Sequence, residues 1–319
     1  MPGAVSGEPT RREVKSAAMR PVFVDPKIDF VFKRIFGNET HKDVLVALLN
    51  GLLELDEAHR IVEVDLIEAE QRPAVSELER SIVDVKCLDA EGTIYVVEMQ
   101  VLNVEGFEKR VVYNVAQAYT SQLGAGHQYP RLNDVIGVTI CDFELWSAAE
   151  GHNVPMLSRW RMQEQHLGAR GLPQLQFVFL ELPKYDLKGE PQSIVEKWAY
   201  FFREANHLAM IPSALSQPPF RAALEAARTA GFTEEEWNAY LRAGMALQDA
   251  RGALTVAHRE GHKEGHKEAR REGLRIAIEA LCDVLGIELT AGRRTELAAQ
   301  PEAELERLLA ALRAERRWP

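Results

Sequence analysis

Residues 81–101 read SIVDVKCLDAEGTIYVVEMQV, and the pairing within this stretch decides the fold. Two runs rich in β-branched residues, Ser81–Leu88 and Thr93–Val101, flank a short turn that contains glycine. This is the signature of a β-hairpin. A three-residue loop, Ala90-Glu91-Gly92, puts Gly92 in the left-handed position and Asp89 opposite Thr93. That register sets Asp84 directly opposite Glu98. Side chains alternate along a strand. One face then carries Val83, Val85, Cys87, Tyr95, Val97, Met99 and Val101, all suited to a core. The other carries Ile82, Asp84, Lys86 and Leu88 opposite Ile94, Val96, Glu98 and Gln100. A slip of one residue in the loop exchanges the faces.

Two carboxylates about 5 Å apart repel by roughly 3 kcal/mol at an effective dielectric near 20. They stay together by sharing a proton, pairing with a cation or binding a metal. Two oxygen ligands with backbone carbonyls and water suit Mg²⁺ or Mn²⁺, which can activate water for attack on a phosphodiester. The plainer alternative is an Asp–Lys–Glu ion-pair face built with Lys86 on a solvated sheet. The hairpin alone leaves both open.

Outward from the hairpin the pattern is mixed. Before it, Asp25-Pro26 opens a helix carrying Phe30, Phe32, Ile35 and Phe36 and stopped by Gly37. Lys42–Leu53 reads as a second helix and Ile61–Ile67 as a strand. After it, Glu105–Leu123 reads as a helix, Val135–Cys141 and Gln174–Leu182 as strands, and Ser193–Ala205 as a helix. The order is that of a mixed α/β domain. On the helix after the hairpin, Arg110, Tyr113 and Gln117 are spaced to share a face and to meet substrate phosphate; packing plus one surface charge is the alternative. Lys27, Lys33, Arg34 and Lys109 can extend such a surface.

Bulk composition sets limits. With 46% hydrophobic and 27% charged residues, 319 residues can bury a sizeable core. A net charge of −10 argues against a wholly basic nucleic-acid-binding surface but does not judge a local site whose acids hold metal. Three widely spaced cysteines, Cys87, Cys141 and Cys282, exclude a zinc ribbon or disulfide framework. No long apolar run reads as a membrane span or signal peptide, so the expected compartment is the cytoplasm.

Several ordered motifs together resemble one family. They are DPKIDFVFKRIFG (25–37), SIVDVK (81–86), VVEMQV (96–101), KRVVYNVAQAYTSQL (109–123) and EKWAYFF (196–202). The resemblance, over roughly residues 24–275, is to the Rpn family of recombination-promoting nucleases, also called PD-(D/E)XK nuclease family transposases. It implies a restriction-endonuclease-like core, a mixed central sheet flanked by helices, and Mg²⁺-dependent cleavage of DNA. It implies that Asp84 and Glu98 bind the metal and that Gln100 stands where the general motif has lysine. Lys86 is then a candidate to supply the missing positive charge. Asp29 on the first helix is either a further metal or water ligand or a surface acid.

After about residue 215 strand signals vanish. Small residues recur every four positions at Ala257, Gly261, Gly265, Ala269, Gly273 and Ala277. Each glycine costs a helix about 1 kcal/mol against alanine, so the repeat asks for a reason. A self-associating helical arm is one reading and a flexible linker the other. His258, His262 and His266 read as a solvated stripe, and Pro301–Arg316 as an amphipathic helix. The expected layout is a disordered tail (1–22), a nuclease-like domain (23–210) and a helical region (211–319) that makes homo-oligomers. The expected activity is a DNA endonuclease; the alternative is a decayed nucleic-acid- or protein-binding module.

Overall fold

The computed structural model describes residues 20–71, 81–123, 128–169, 171–186 and 188–319. The expected tail lies outside these, save Arg20–Val22. Those three are tied down: Arg20 pairs with Glu234, and Thr229 N–H donates to Val22 O at 3.0 Å.

The elements in chain order are α1 (Asp29–Phe36), α2 (Lys42–Leu53), β1 (Val64–Leu66), β2 (Glu70–Gln71), β3 (Ser81–Ile82), β4 (Val85–Asp89) and β5 (Ile94–Gln100). Then come α3 (Phe107–Thr120), β6 (Val135–Cys141), β7 (Leu157–Met162), β8 (Leu172–Glu181), α4 (Ile194–Glu204) and α5 (Phe220–Ala226). The chain ends in α6 (Glu234–Leu285), α7 (Ala291–Ala299) and α8 (Glu302–Glu315). Six strands form one mixed sheet in the order β1-β4-β5-β6-β8-β7. β5, β6 and β8 run parallel, and β1, β4 and β7 are antiparallel to their neighbours. This is the α/β core with a mixed, helix-flanked sheet that the sequence implied.

From Val85 to Leu88 the hairpin register is the expected one, but the ladder ends before Asp84, so the expected Asp84–Glu98 pair on one face does not form. Val85 pairs with Val97, Lys86 with Val96, Cys87 with Tyr95 and Leu88 with Ile94. The turn enforces it: Asp89 Oδ1 accepts from the N–H of Glu91 and of Thr93, at 3.0 and 2.9 Å, and Gly92 sits at φ +88°. A left-handed residue there is why glycine is needed. One expectation fails upstream. Ser81–Leu88 is not one strand, because it breaks at Val83-Asp84. Val83 then packs with Ile94, Val96, Val115, Ala118 and Val135 under α3, not beside Val85. Ser81–Ile82 leaves to pair with β2.

α3 covers one face of the sheet. Its seat depends on Gly137 in β6, where a Cβ would lie 2.6 Å from Val115 Cγ2. Gly137→Ala should therefore overpack this layer and cost about 1–3 kcal/mol, read as a lower urea midpoint at unchanged slope. On the other face lies α1, whose terminal Gly37 comes so near the hairpin that a Cβ there would lie 3.4 Å from Val85 Cγ2. α1, α4 and α5 share an aromatic cluster of Phe32, Phe36, Trp198, Phe202 and Phe220. α1 also starts later than expected. Asp25 accepts from Lys27 N–H at 2.9 Å in a turn, and Ile28 is the N-cap.

The chain divides into two compact units, through Gly244 and from Met245. The expected boundary at 210/211 is too early. Phe220, Ala223 and Leu224 are buried in the first unit, and Val24 N–H donates to Ala227 O at 2.9 Å. In the second unit Ile278, Cys282, Leu297, Leu305 and Leu312 form a small core. α6 is helical throughout the 257–277 repeat, which excludes a flexible linker there. Glu268 pairs with Arg271 and Glu272 with Arg275, and the two arginines reach backbone carbonyls of Gln300 and Ala298. Among the described residues, nothing beyond the helix's own neighbouring backbone lies within 4 Å of where a Cβ on Gly261, Gly265 or Gly273 would stand. No helix among the described residues is long and apolar enough to cross a membrane.

Candidate active site

Asp84 lies just beyond the end of the β4–β5 ladder, where strand pairing no longer consumes the N–H of Met99. Its Oδ2 takes that N–H at 2.7 Å. This nitrogen belongs to the peptide that joins Glu98 to Met99, so the Asp84 carboxyl lies within roughly 5 Å of Glu98 Cα. The break at Val83-Asp84 also turns Asp84 toward α1, where the Asp29 carboxyl adjoins it and Lys33 pairs with both. Lys33 Nζ is 2.7 Å from Asp29 Oδ1 and 3.6 Å from Asp84 Oδ1. Burial, then the neighbouring Asp29 carboxyl, push Asp84 up to about 7, against the pull of Met99 N–H and Lys33.

Glu98 points to the α3 side. It is 8% exposed, and Asn114 Nδ2 donates to its Oε1 at 2.6 Å. Burial raises its pKa, and the Asn114 bond and the charge of Arg110 work against that rise. Gln100 is clamped from both ends: its Nε2 donates to Leu102 O at 2.7 Å and its Oε1 accepts from Arg110 at 2.6 Å. Arg110 lies over the Phe107 ring, 5.4 Å from its centroid. A hydrogen-bonded line thus runs from α3 through Arg110 to Gln100, and from Asn114 to Glu98.

The expected residues therefore gather in two sub-clusters. Asp29 and Asp84 meet on the α1 side, with Lys33. Glu98, Gln100 and Arg110 meet on the α3 side, with Asn114. The Glu98–Met99 peptide joins them. Among the described residues, no group of three or more His, Cys, Asp or Glu side chains is arranged to hold a metal ion. The donors are nonetheless hard oxygens, and Asp29 and Asp84 are close enough to repel when both are ionised. Such a set fits Mg²⁺ or Mn²⁺, which keep several waters and need only one or two carboxylates.

Other expected residues sit elsewhere. Lys86 is buried, its pKa lowered by burial and supported by Glu68, on the strand row that pairs with Val96. Tyr113 is 48% exposed on α3, and Gln117 is half-buried one turn further on. Arg34 is a structural tie, bonded to Glu236 and to the carbonyls of Ala226 and Gly231 and set against the Phe232 ring. Lys27 lies between Asp25 and Asp142. Asn114 was missed. It falls four residues after Arg110, and that spacing was its available signal.

No curated protein and no solved structure matches the chain. The family model for the PD-(D/E)XK nuclease family transposases matches residues 26–257, well over half of the sequence and spanning every element of the site. Its reach agrees with the mixed sheet, the hairpin that bears Asp84 and Glu98, and the helices on either face. The chain belongs to the PD-(D/E)XK nuclease family transposases.

Proposed function

We propose that this nuclease-family chain is a metal-dependent DNA endonuclease, with Asp84, Glu98 and Asp29 as the acids that hold Mg²⁺ or Mn²⁺. The observation that carries the reading is the Asp84 carboxyl seated on the Glu98–Met99 peptide beside a second acid and an ammonium. When bound, the ion supplies positive charge to the phosphodiester and acidifies water.

The chain's own residues do the rest. Asn114 fixes the Glu98 carboxyl through Oε1. Arg110 holds Gln100 and keeps donors for a phosphate oxygen, since guanidinium has five and Gln100 takes one. Tyr113 and Gln117 on the same helix extend the substrate-facing surface. Of the two lysines on the strands and α1, Lys33 faces Asp84 directly, while Lys86 is engaged with Glu68. The acidic net charge then limits non-specific binding to DNA and leaves the site as the local attraction. We place this activity in the cytoplasm. The bare glycine ridge of α6 is suited to close approach of the same helix from a second copy, so the active species is a homo-oligomer.

Supercoiled plasmid incubated with Mg²⁺ tests the assignment. Wild type should nick or linearise it, and Glu98→Gln should slow this by about 10²–10³-fold. Equal rates for the two chains would remove Glu98 from the site. Metal-stimulated turnover by wild type would exclude a decayed binding module.

A further inference from the structure

Lys33 stands where two roles meet. Its ammonium is 2.7 Å from Asp29 and 3.6 Å from Asp84, and so bridges the two acids. It is thus the counter-ion of the acids assigned to the metal. It also has more conformational freedom than its neighbours. The side chain is 38% exposed, Asp29 is 64% exposed, and lysine carries its charge on a flexible four-carbon stem. Its neighbours lack that freedom. Arg34 is bound by Glu236, two carbonyls and the Phe232 ring. Lys86 is buried beside Glu68, and Arg110 is spent in part on Gln100.

An ammonium and a divalent ion cannot occupy the same carboxylate oxygens without strong mutual repulsion. One must yield, and a singly charged, mobile group on the protein yields to the ion of higher charge. Released from Asp84, Lys33 remains tethered to α1 beside the two acids, and the anion that then enters is the substrate phosphate. Gln100 is uncharged and has no positive charge to offer it.

We propose that Lys33 is an internal stand-in for the metal: its ammonium neutralises Asp29 and Asp84 in the metal-free chain, gives way to the divalent ion, and then contacts the non-bridging oxygens of the DNA phosphate. The proposal rests on the reading of Asp84 as a metal ligand. It makes metal affinity and cleavage respond in opposite directions to loss of the charge.

The test is calorimetric titration of the full-length chain with Mn²⁺, without DNA, followed by cleavage at saturating Mn²⁺. Lys33→Met should bind Mn²⁺ about fivefold tighter or more, because a competing half-exposed ion pair is gone. It should cleave about 100-fold more slowly, because a donor to the reacting phosphate is gone. Lys33→Arg keeps the charge and should bind Mn²⁺ as wild type does. A lysine that only supports the fold would lower both readouts together, and that result overturns the proposal. Unchanged or weaker Mn²⁺ binding by Lys33→Met, with wild type binding normally, also overturns it and leaves the metal site standing. Tighter binding with undiminished cleavage removes the contact to phosphate. A wild-type chain that takes up no Mn²⁺ overturns the metal reading and the proposal with it.

Discussion

Asp84→Asn should abolish DNA cleavage and, at neutral to alkaline pH, make the metal-free fold more stable. The first half follows from the assigned role: an amide is a poor ligand for a hard divalent ion, and a loss of about 10³-fold in rate is expected. The second half follows from burial. The Asp84 carboxyl ionises at about 7 in the folded chain, pushed up from 3.8 by burial and then by Asp29. Between those values the folded chain keeps a proton that the unfolded chain has lost. Stability from this group is therefore greatest below about pH 4, falls as pH rises, and levels off above 7. The loss is on the order of 2–4 kcal/mol at alkaline pH. Asparagine resembles the protonated acid in shape and charge. It can keep the bond from Met99 N–H and donate to Asp29, so it should lack this pH slope. Urea unfolding of both chains on either side of pH 7 checks the sign. A variant that unfolds more easily than wild type at alkaline pH would show that Asp84 is not strained by its surroundings.

The same residue shows what the sequence can and cannot say. The turn chemistry was legible, because Asp89 and Gly92 are the types that a three-residue hairpin loop demands, and they set the register of β4 against β5. β6 was legible residue for residue, being a buried run of β-branched residues, and α2 likewise from its apolar period. The break before Asp84 was not. Val83, Asp84 and Val85 alternate as any strand does, and what turns the chain is tertiary: α3 draws Val83 inward while α1 offers partners to Asp84. Asp29 and Lys33 were each legible as residues of the first helix, but only contact with the hairpin joins them to Asp84. β7 gave no signal because Arg159, Trp160, Arg161 and Met162 form a largely exposed edge. On α3, helical spacing cannot decide between positions three and four after Arg110. The fold turns Asn114 to Glu98 and leaves Tyr113 largely in solvent.

The site also depends on how firmly α1 is held, and that points to Trp198. Its ring is fully buried, 5.9 Å from Phe36 and 4.6 Å from Phe220, centroid to centroid, and stands edge-on to Phe201 at 5.7 Å. Gly51 in α2 has no side chain where a Cβ would meet the indole at 3.2 Å, so α2 closes on it tightly. Trp198→Ala should cost about 3–5 kcal/mol, through lost burial and a cavity that three helices cannot close. That is a large share of the stability of an ordinary domain. The indole N–H has no hydrogen-bond partner among the described residues. A buried donor left unmet already costs about 1–3 kcal/mol, so Trp198→Phe removes that penalty while losing some volume. The two effects oppose each other, and Trp198→Phe should sit much closer to wild type than to Trp198→Ala. If the alanine variant loosens α1 it should also weaken Mn²⁺ binding, since Asp29 and Lys33 ride on that helix, whereas the phenylalanine variant should bind as wild type. Thermal melts and metal titrations of the pair separate the outcomes. Equal destabilisation by both substitutions would mean that the N–H, rather than the ring's bulk, is what α4 contributes to the cluster.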